Sequence, residues 1–291
     1  YQDNDSIISN FSSLPVPSIF NRLHDANVDW AYYYGTIPVL SALNNPGPYQ
    51  IPDDYLQARV RRFSQFLTDA MAGKLPPVTY IDPAFYQNDD HPPIHPINGQ
   101  ALIATVYTAL AKSPHWKNTM LVITYDENGG FFDHVPPPTT ADDYTSTGFN
   151  QLGFRVPAMI IGPYAKQSYV SSVQYDHTSA LKHLTNVFDL PTIQGQLAMR
   201  MNAANDLSDT IDMDRLDKDQ WAKPVEIPSV DVTQWPMSSA CDYNGSRIDP
   251  ITKWADDNPD KVRGLDLRSE LPEYRRTIIE FLREHQGTIG K

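Results

Sequence analysis

Hydrophobic residues recur along the chain with two alternating periods, one typical of strands and one typical of helices. Residues 28–34 carry aromatic side chains at alternate positions and residues 77–81 are mostly apolar or β-branched, so both segments predict strands. Apolar side chains spaced three and four apart predict one continuous helix over 55–72 and a second helix over 99–112. The apolar run at 119–125 is typical of a strand that is buried on both faces.

The same alternation continues in the second half of the chain. Residues 154–161 predict a strand, in which Pro157 favours an edge position or a bulge. Residues 176–190 predict a helix, and a last helix is expected at 271–285 with Pro272 in its first turn. This order predicts an α/β fold, with a mainly parallel sheet flanked by helices and an irregular C-terminal extension.

Composition and charge narrow the function classes. The 291 residues are 41% hydrophobic, which is enough for a large core in one domain or in two closely packed domains. A single cysteine, Cys241, excludes a disulfide scaffold, and no apolar run approaches the roughly 20 residues of a transmembrane helix. The net charge of -12 argues against nucleic-acid binding, which needs a basic face. A small anionic substrate would need a local positive group, such as a metal ion.

The strongest chemical signal follows the predicted strand at 119–125. This strand leads directly into Asp126 and Glu127, and Asn128 and two glycines come next. Ligands bind at the carboxyl ends of strands in open α/β sheets, and two neighbouring carboxylates repel each other unless a cation or a proton intervenes. We therefore expect Asp126 and Glu127 to bind a divalent metal ion, with zinc, calcium and manganese all open. The alternative is that Asp126 caps the following turn and Glu127 points to solvent.

Two histidines lie in loops that follow predicted strands. His91 stands between the strand at 77–81 and the helix at 99–112, where it can donate to a phosphate oxygen or act as a general acid. His134 ends the segment that contains the two carboxylates. Its neighbour Asp133 is expected either to hold the imidazole in one tautomer or to hydrogen-bond to a metal ligand without touching the metal.

The motif YDHTS at 175–179 opens the helix predicted at 176–190. Asp176 or Thr178 can serve as an ordinary N-cap of this helix, in which case the motif is structural. The functional alternative is that His177 points into the same cleft as the carboxylates. The sequence leaves both interpretations open.

Three motifs together resemble a known family. They are TYDENGGFFDHVPPP around Asp126, DDHPP around His91 and YDHTS around His177. Over roughly 15–190 the chain resembles the bacterial phosphoesterase family, which contains the phosphatidylcholine-type phospholipases C and related acid phosphatases and belongs to the alkaline phosphatase superfamily. The resemblance implies that residues 1–190 are the later part of an alkaline-phosphatase-like catalytic domain, and that residues 191–291 form an extension packed on it.

The resemblance also implies a metal-dependent phosphoric ester hydrolase, in which a metal-bound hydroxyl side chain attacks phosphorus and water later releases the phosphate. It implies that Asp126 and Glu127 are metal ligands and that His91 contacts the phosphate or the leaving group. Asp133 and His134 are further catalytic candidates near that site. The expected partner is a phosphate ester, with phospholipid as one candidate, and the expected location is extracellular or periplasmic.

Two motifs of the family are not found in this sequence. No Glu-Asn pair of the ENRSFD type precedes Asp126, and no TxPNR-like segment offers the nucleophilic Thr or Ser. We therefore expect these groups to come from a missing N-terminal segment of the same protein or from a separate chain. Two other functions stay open: a non-catalytic binding module that keeps the fold, and a sulfatase-type hydrolase on the same scaffold.

Overall fold

The computed structural model describes residues 17–43, 49–85, 87–92, 94–191, 198–228, 276–278 and 280–285. They divide into two compact units. The first draws on the ranges 1–21, 29–115 and 225–291, and the second on the ranges 22–28 and 116–224. Cys241 and Pro272 lie outside the described residues.

The helices up to residue 115 are α1 (Ile19–Asp25), α2 (Val39–Leu43), α3 (Asp53–Arg59), α4 (Phe63–Met71) and α5 (Ile97–Ala111). The strands in this part are β1 (Trp30–Tyr34), β2 (Val60–Arg62) and β3 (Val78–Ile81). Ser18 caps α1, because its hydroxyl accepts a hydrogen bond from the Asn21 amide.

After residue 115 the strands are β4 (Leu121–Thr124) and β5 (Ala158–Ile161). The α-helices that follow are α6 (His177–Val187), α7 (Ala198–Ala203) and α8 (Met213–Asp217), and residues 276–278 and 280–285 are helical as well. Short 3-10 turns occupy Trp116–Asn118, Thr145–Thr147 and Leu207–Thr210. Across the residues that the structure describes, no helix has the length and apolar character needed to cross a bilayer.

The sheet of the first unit has the order β2-β1-β3, and both of its strand pairs are parallel. The central strand β1 is buried along its whole length, and Tyr32 lies opposite Val60 on one side and Tyr80 on the other. Helices α4 and α5 contribute many of the buried apolar side chains of this unit. The predicted α/β fold, with a parallel sheet flanked by helices, is confirmed.

The single helix predicted over 55–72 is wrong. Helix α3 ends at Arg59, and Val60 adopts an extended conformation with φ -89° and ψ 112°. Residues 60–62 pair with β1, and the helical conformation resumes only at Phe63. The apolar spacing is helical throughout this segment, but hydrogen bonding to the buried edge of β1 replaces three residues of helix with a strand.

The second unit contains a two-stranded antiparallel sheet, in which Leu121 pairs with Ile161 and Thr124 with Ala158. Residues 121–123 are half-buried and Thr124 is exposed, so the prediction of a strand buried on both faces is wrong. A sheet of two strands has no inner strand, and its faces are only partly covered. The strand predicted over 154–161 is shorter in the structure: Pro157, which has no amide hydrogen to donate, directly precedes β5.

Asp69 on α4 holds together three polar side chains of the first unit. Its carboxylate accepts hydrogen bonds from the Tyr33 hydroxyl at 2.7 Å, from Gln65 Nε2 at 2.8 Å and from Arg61 at 2.9 Å. Burial alone would raise the pKa of Asp69, but these three donors outweigh it and hold the pKa below its ordinary value. The network therefore links strand β1, strand β2 and helix α4.

We expect Asp69→Asn to lower the free energy of unfolding by about 2 kcal/mol at neutral pH, because the amide keeps one acceptor oxygen of two, loses the charge and turns an NH2 group toward a donor. Gln65→Ala removes one donor and should cost less. Because the folded pKa is depressed, the contribution of Asp69 is present above its unfolded pKa and is lost as the pH falls through the lower folded value. Urea unfolding of both variants between neutral and acid pH checks this. A loss of unfolding free energy in Asp69→Asn that is the same at every pH would contradict it.

Candidate active site

Asp126 and Glu127 follow β4 after one intervening residue, Tyr125. Both side chains are exposed, so their carboxylates are accessible to a ligand. One oxygen of Glu127, Oε2, accepts a hydrogen bond from the Gly129 amide at 2.8 Å, which orients the side chain across the turn that follows. The structure therefore presents two consecutive carboxylates at the carboxyl end of a strand, as the sequence predicts.

A tight turn follows the two carboxylates. The Asn128 side chain donates to the Phe131 carbonyl at 2.7 Å, and the Phe131 amide donates back to the Asn128 carbonyl at 3.1 Å. Gly129 and Gly130 both have positive φ, 62° and 75°, which other residues adopt at a cost. The two glycines are thus required by the sharp reversal of the chain directly after Glu127.

Asp126 and Glu127 offer the type of ligand atom that a divalent cation binds, but they are too few to complete its coordination shell. Carboxylate oxygens suit calcium, manganese and zinc. Within the described parts of the chain, no group of three or more His, Cys, Asp or Glu side chains is arranged to hold a metal ion. A zinc site needs about four ligands and a calcium site about six to eight, so these two carboxylates supply only part of a coordination shell.

Asp133 is engaged by an arginine rather than by its histidine neighbour. Arg155 Nε and Nη2 each lie 2.8 Å from an Asp133 oxygen, and the Val135 amide donates to the same carboxylate at 3.0 Å. The Arg155 guanidinium holds the pKa of Asp133 well below its ordinary range. His134 Nδ1 lies 3.7 Å from Asp133 Oδ1, too far for the hydrogen bond expected to fix its tautomer, and the His134 side chain is 84% exposed.

His91 belongs to the first unit, whereas Asp126, Glu127, Asp133 and His134 belong to the second. The His91 ring is exposed, and its Nδ1 lies 2.7 Å from the Pro92 carbonyl oxygen. A carbonyl only accepts hydrogen bonds, so Nδ1 carries the hydrogen and Nε2 is the acceptor nitrogen of the neutral ring. The contact with Pro92 thus favours one tautomer of the neutral His91 ring, with the hydrogen on Nδ1.

The loop that carries His91 is packed tightly against helix α5. Asp90 has a positive φ of 60°, and its carboxyl group lies directly against Gly99 in the first turns of the helix. A Cβ at position 99 would lie 2.2 Å from Asp90 Oδ1, which is closer than real Cβ atoms approach. Gly99 is therefore needed for the close approach that fixes Asp90, the residue before His91.

His177 is the first residue of α6, and Asp176 is the N-cap. The Asp176 carboxylate accepts from the Thr178 amide at 2.7 Å, and the Asp176 amide donates to the Ser179 hydroxyl at 3.1 Å, which completes a capping box. The His177 ring reaches the end of β4, where Nε2 lies 2.9 Å from the Tyr125 carbonyl oxygen. The structure brings His177 beside the backbone that leads into Asp126.

Sequence reasoning missed Asp82. This residue directly follows β3, and its amide donates to the Tyr33 carbonyl of β1 at 2.8 Å. Burial raises the pKa of the Asp82 carboxyl to about 7. The signal in the sequence is a carboxylate directly after a predicted strand, the same signal that singled out Asp126.

Comparison with known proteins assigns the family. The sequence profile of the phosphoesterase family matches residues 2–191. The chain belongs to the phosphoesterase family. The matched range contains His91 of the first unit and Asp126, Glu127, Asp133 and His134 of the second unit.

Relatives within the family are named as phospholipases. The chain is 34% identical over 199 residues to non-specific phospholipase C6 of Arabidopsis thaliana, an alignment that covers 60% of this chain and 38% of that protein. It is 33% identical over 222 residues to phospholipase C B of Mycobacterium tuberculosis, covering 65% of this chain and 42% of that protein. The chain spans about two fifths of the length of these curated relatives.

Asp82→Asn tests whether the half-buried Asp82 carboxyl binds its proton with a pKa near neutral. Because its folded pKa of about 7 lies above the unfolded value of about 4, the wild type loses stability as the pH rises between these values. The variant lacks this loss and should gain on the wild type by about 4 kcal/mol across the window. Denaturant unfolding measured from pH 4 to 8 checks this, with Asp54→Asn as the exposed control. A constant difference would contradict the shifted pKa.

Proposed function

We propose that the whole protein is a phosphoric ester hydrolase of the phospholipase C type, which uses a divalent metal ion. Membership of the phosphoesterase family supports the reaction class, and the names of its relatives support the type. In this reaction water adds across a phosphorus–oxygen ester bond, so that one new P–O bond forms, the ester P–O bond breaks and the leaving alcohol takes up a proton.

The observation that carries the proposal is the pair Asp126 and Glu127 at the carboxyl end of β4. They are consecutive and exposed, and the chain reverses directly after them at Gly129 and Gly130. We propose that both carboxylates ligate the metal ion, with further ligands and the nucleophile supplied by residues outside those described. When bound, the ion would lower the pKa of the nucleophile and offset the negative charge that develops on the phosphoryl group.

His91 is the proposed proton donor to the leaving oxygen. Its Nδ1 is committed to the Pro92 carbonyl, so the proton that moves is the one on Nε2. Packing of Asp90 on Gly99 fixes the backbone on the N-terminal side of the ring. Asp133 has a different part in this proposal, because the carboxylate that Arg155 holds is a poor base and instead fixes the loop that carries His134.

Metal binding tests the ligand assignment directly. We expect Asp126→Asn and Glu127→Gln each to weaken the affinity of the protein for Mn²⁺, Zn²⁺ or Ca²⁺ at least tenfold, because each loses a charged ligand oxygen. Asp214→Asn is the matched control, since it removes an exposed carboxylate that pairs only with Lys218 four residues later in the ion pairs described. Isothermal titration calorimetry measures the affinities, and a fall of equal size in the control would contradict the assignment.

The substrate class is tested with the whole protein. We expect release of diacylglycerol from phosphatidylcholine vesicles to depend on added metal, to exceed phosphate release from p-nitrophenyl phosphate, and to fall at least a hundredfold in Asp126→Asn. Sulfate release from an aryl sulfate is expected to be absent. Turnover of the aryl sulfate alone would favour a sulfatase-type hydrolase, and no turnover of any substrate with any metal would favour a non-catalytic binding module.

A further inference from the structure

The two peptide groups that flank Tyr125 are each held by a hydrogen bond from or to another element. The Tyr125 amide donates to the Pro157 carbonyl at 3.3 Å, which extends the β4–β5 ladder by one residue. The Tyr125 carbonyl accepts from the ring of His177 at 2.9 Å, although His177 lies 52 residues further along the chain. The same carbonyl also accepts from the Thr124 hydroxyl at 3.3 Å, and Tyr125 separates β4 from the two carboxylates.

Fixing this carbonyl fixes the direction in which Asp126 begins. The Tyr125 carbonyl and the Asp126 amide belong to one planar peptide group, so a hydrogen bond to the oxygen restrains the rotation of the whole plane. The position of Asp126 Cα and the axis of its φ rotation follow from that plane. A hydrogen bond from His177 therefore restrains the backbone from which both carboxylates project.

His177 is itself placed with little freedom. The Asp176 and Ser179 capping box fixes the first turn of α6, and the Ser179 side chain is 1% exposed. Because the Tyr125 oxygen only accepts hydrogen bonds, Nε2 of His177 must carry the hydrogen. The motif YDHTS thus supplies both a helix cap, through Asp176, and a side-chain donor to the end of β4, through His177.

We infer that His177 is a positioning residue for the metal ligands Asp126 and Glu127, acting through the Tyr125 carbonyl. This inference rests on the proposed function, since it takes the two carboxylates as metal ligands. In many metal sites, residues that do not touch the metal hydrogen-bond to its ligands and orient them. Replacing such a residue typically weakens metal affinity 10- to 100-fold. Because the hydrogen bond is on the surface and acts through the backbone, we expect an effect of about tenfold.

The test compares side chains that reach the Tyr125 oxygen with side chains that do not. His177→Gln keeps an N–H donor near the position of Nε2, whereas His177→Asn is too short and His177→Phe has no donor. We expect His177→Phe and His177→Asn to weaken Mn²⁺ binding about tenfold in the whole protein, and His177→Gln to retain affinity within about twofold of the wild type. His95→Phe controls for the loss of one exposed imidazole from the surface.

Two measurements keep the outcomes distinct. Electron paramagnetic resonance of free Mn²⁺ gives the affinity, and hydrogen exchange of the peptide 121–133 reports the restraint of the backbone, which should loosen in His177→Asn and not in His177→Gln. Equal affinities in all His177 variants, or an equal loss in His177→Gln and His177→Asn, would overturn the inference while Asp126→Asn still weakens binding. If Asp126→Asn binds Mn²⁺ as the wild type does, the proposed ligand assignment itself fails, and this inference fails with it.

Discussion

Strand β1 is buried from Trp30 to Tyr34, so its backbone amides and carbonyls must find protein partners on both sides. Strands β2 and β3 supply them in parallel. This demand explains why the chain leaves the helical conformation for three residues between α3 and α4. It also directs the chain after β3 into the loop that begins at Asp82 and leads to His91, at the carboxyl edge of this sheet.

Two carboxylates, Asp82 and Asp126, lie just beyond the ends of strands. A strand end is where backbone pairing stops and side chains become accessible, and Asp82 and Asp126 both occupy such positions. The two carboxyl groups differ in their exposure to solvent. Burial raises the pKa of Asp82 to about 7, whereas Asp126 is exposed to solvent and to ligands. Within the second unit, the His177–Tyr125 hydrogen bond holds the backbone directly before Asp126 and Glu127. The Arg155–Asp133 pair holds the segment that follows them.

Local features of the fold could be predicted from the sequence, and features that depend on distant partners could not. Helix α5, strand β3 and the Asp176 cap follow from spacing and capping chemistry within a few residues. Strand β2 was missed because its conformation is set by β1, about thirty residues earlier. Arg155 was missed as the partner of Asp133 because the pair forms only when a 22-residue loop closes. Asp126 and Glu127 could be singled out as candidate metal ligands because two carboxylates after an apolar strand form a local signal.

Binding of a divalent cation by Asp126 and Glu127 is tested most directly by locating the ion. Crystals of the whole protein soaked in Mn²⁺ would be measured for anomalous scattering. We expect a peak within about 2.5 Å of a carboxylate oxygen of Asp126 and of Glu127, a distance typical of oxygen ligands to such ions. Anomalous peaks confined to other carboxylates, with ordered but metal-free Asp126 and Glu127 side chains, would contradict it.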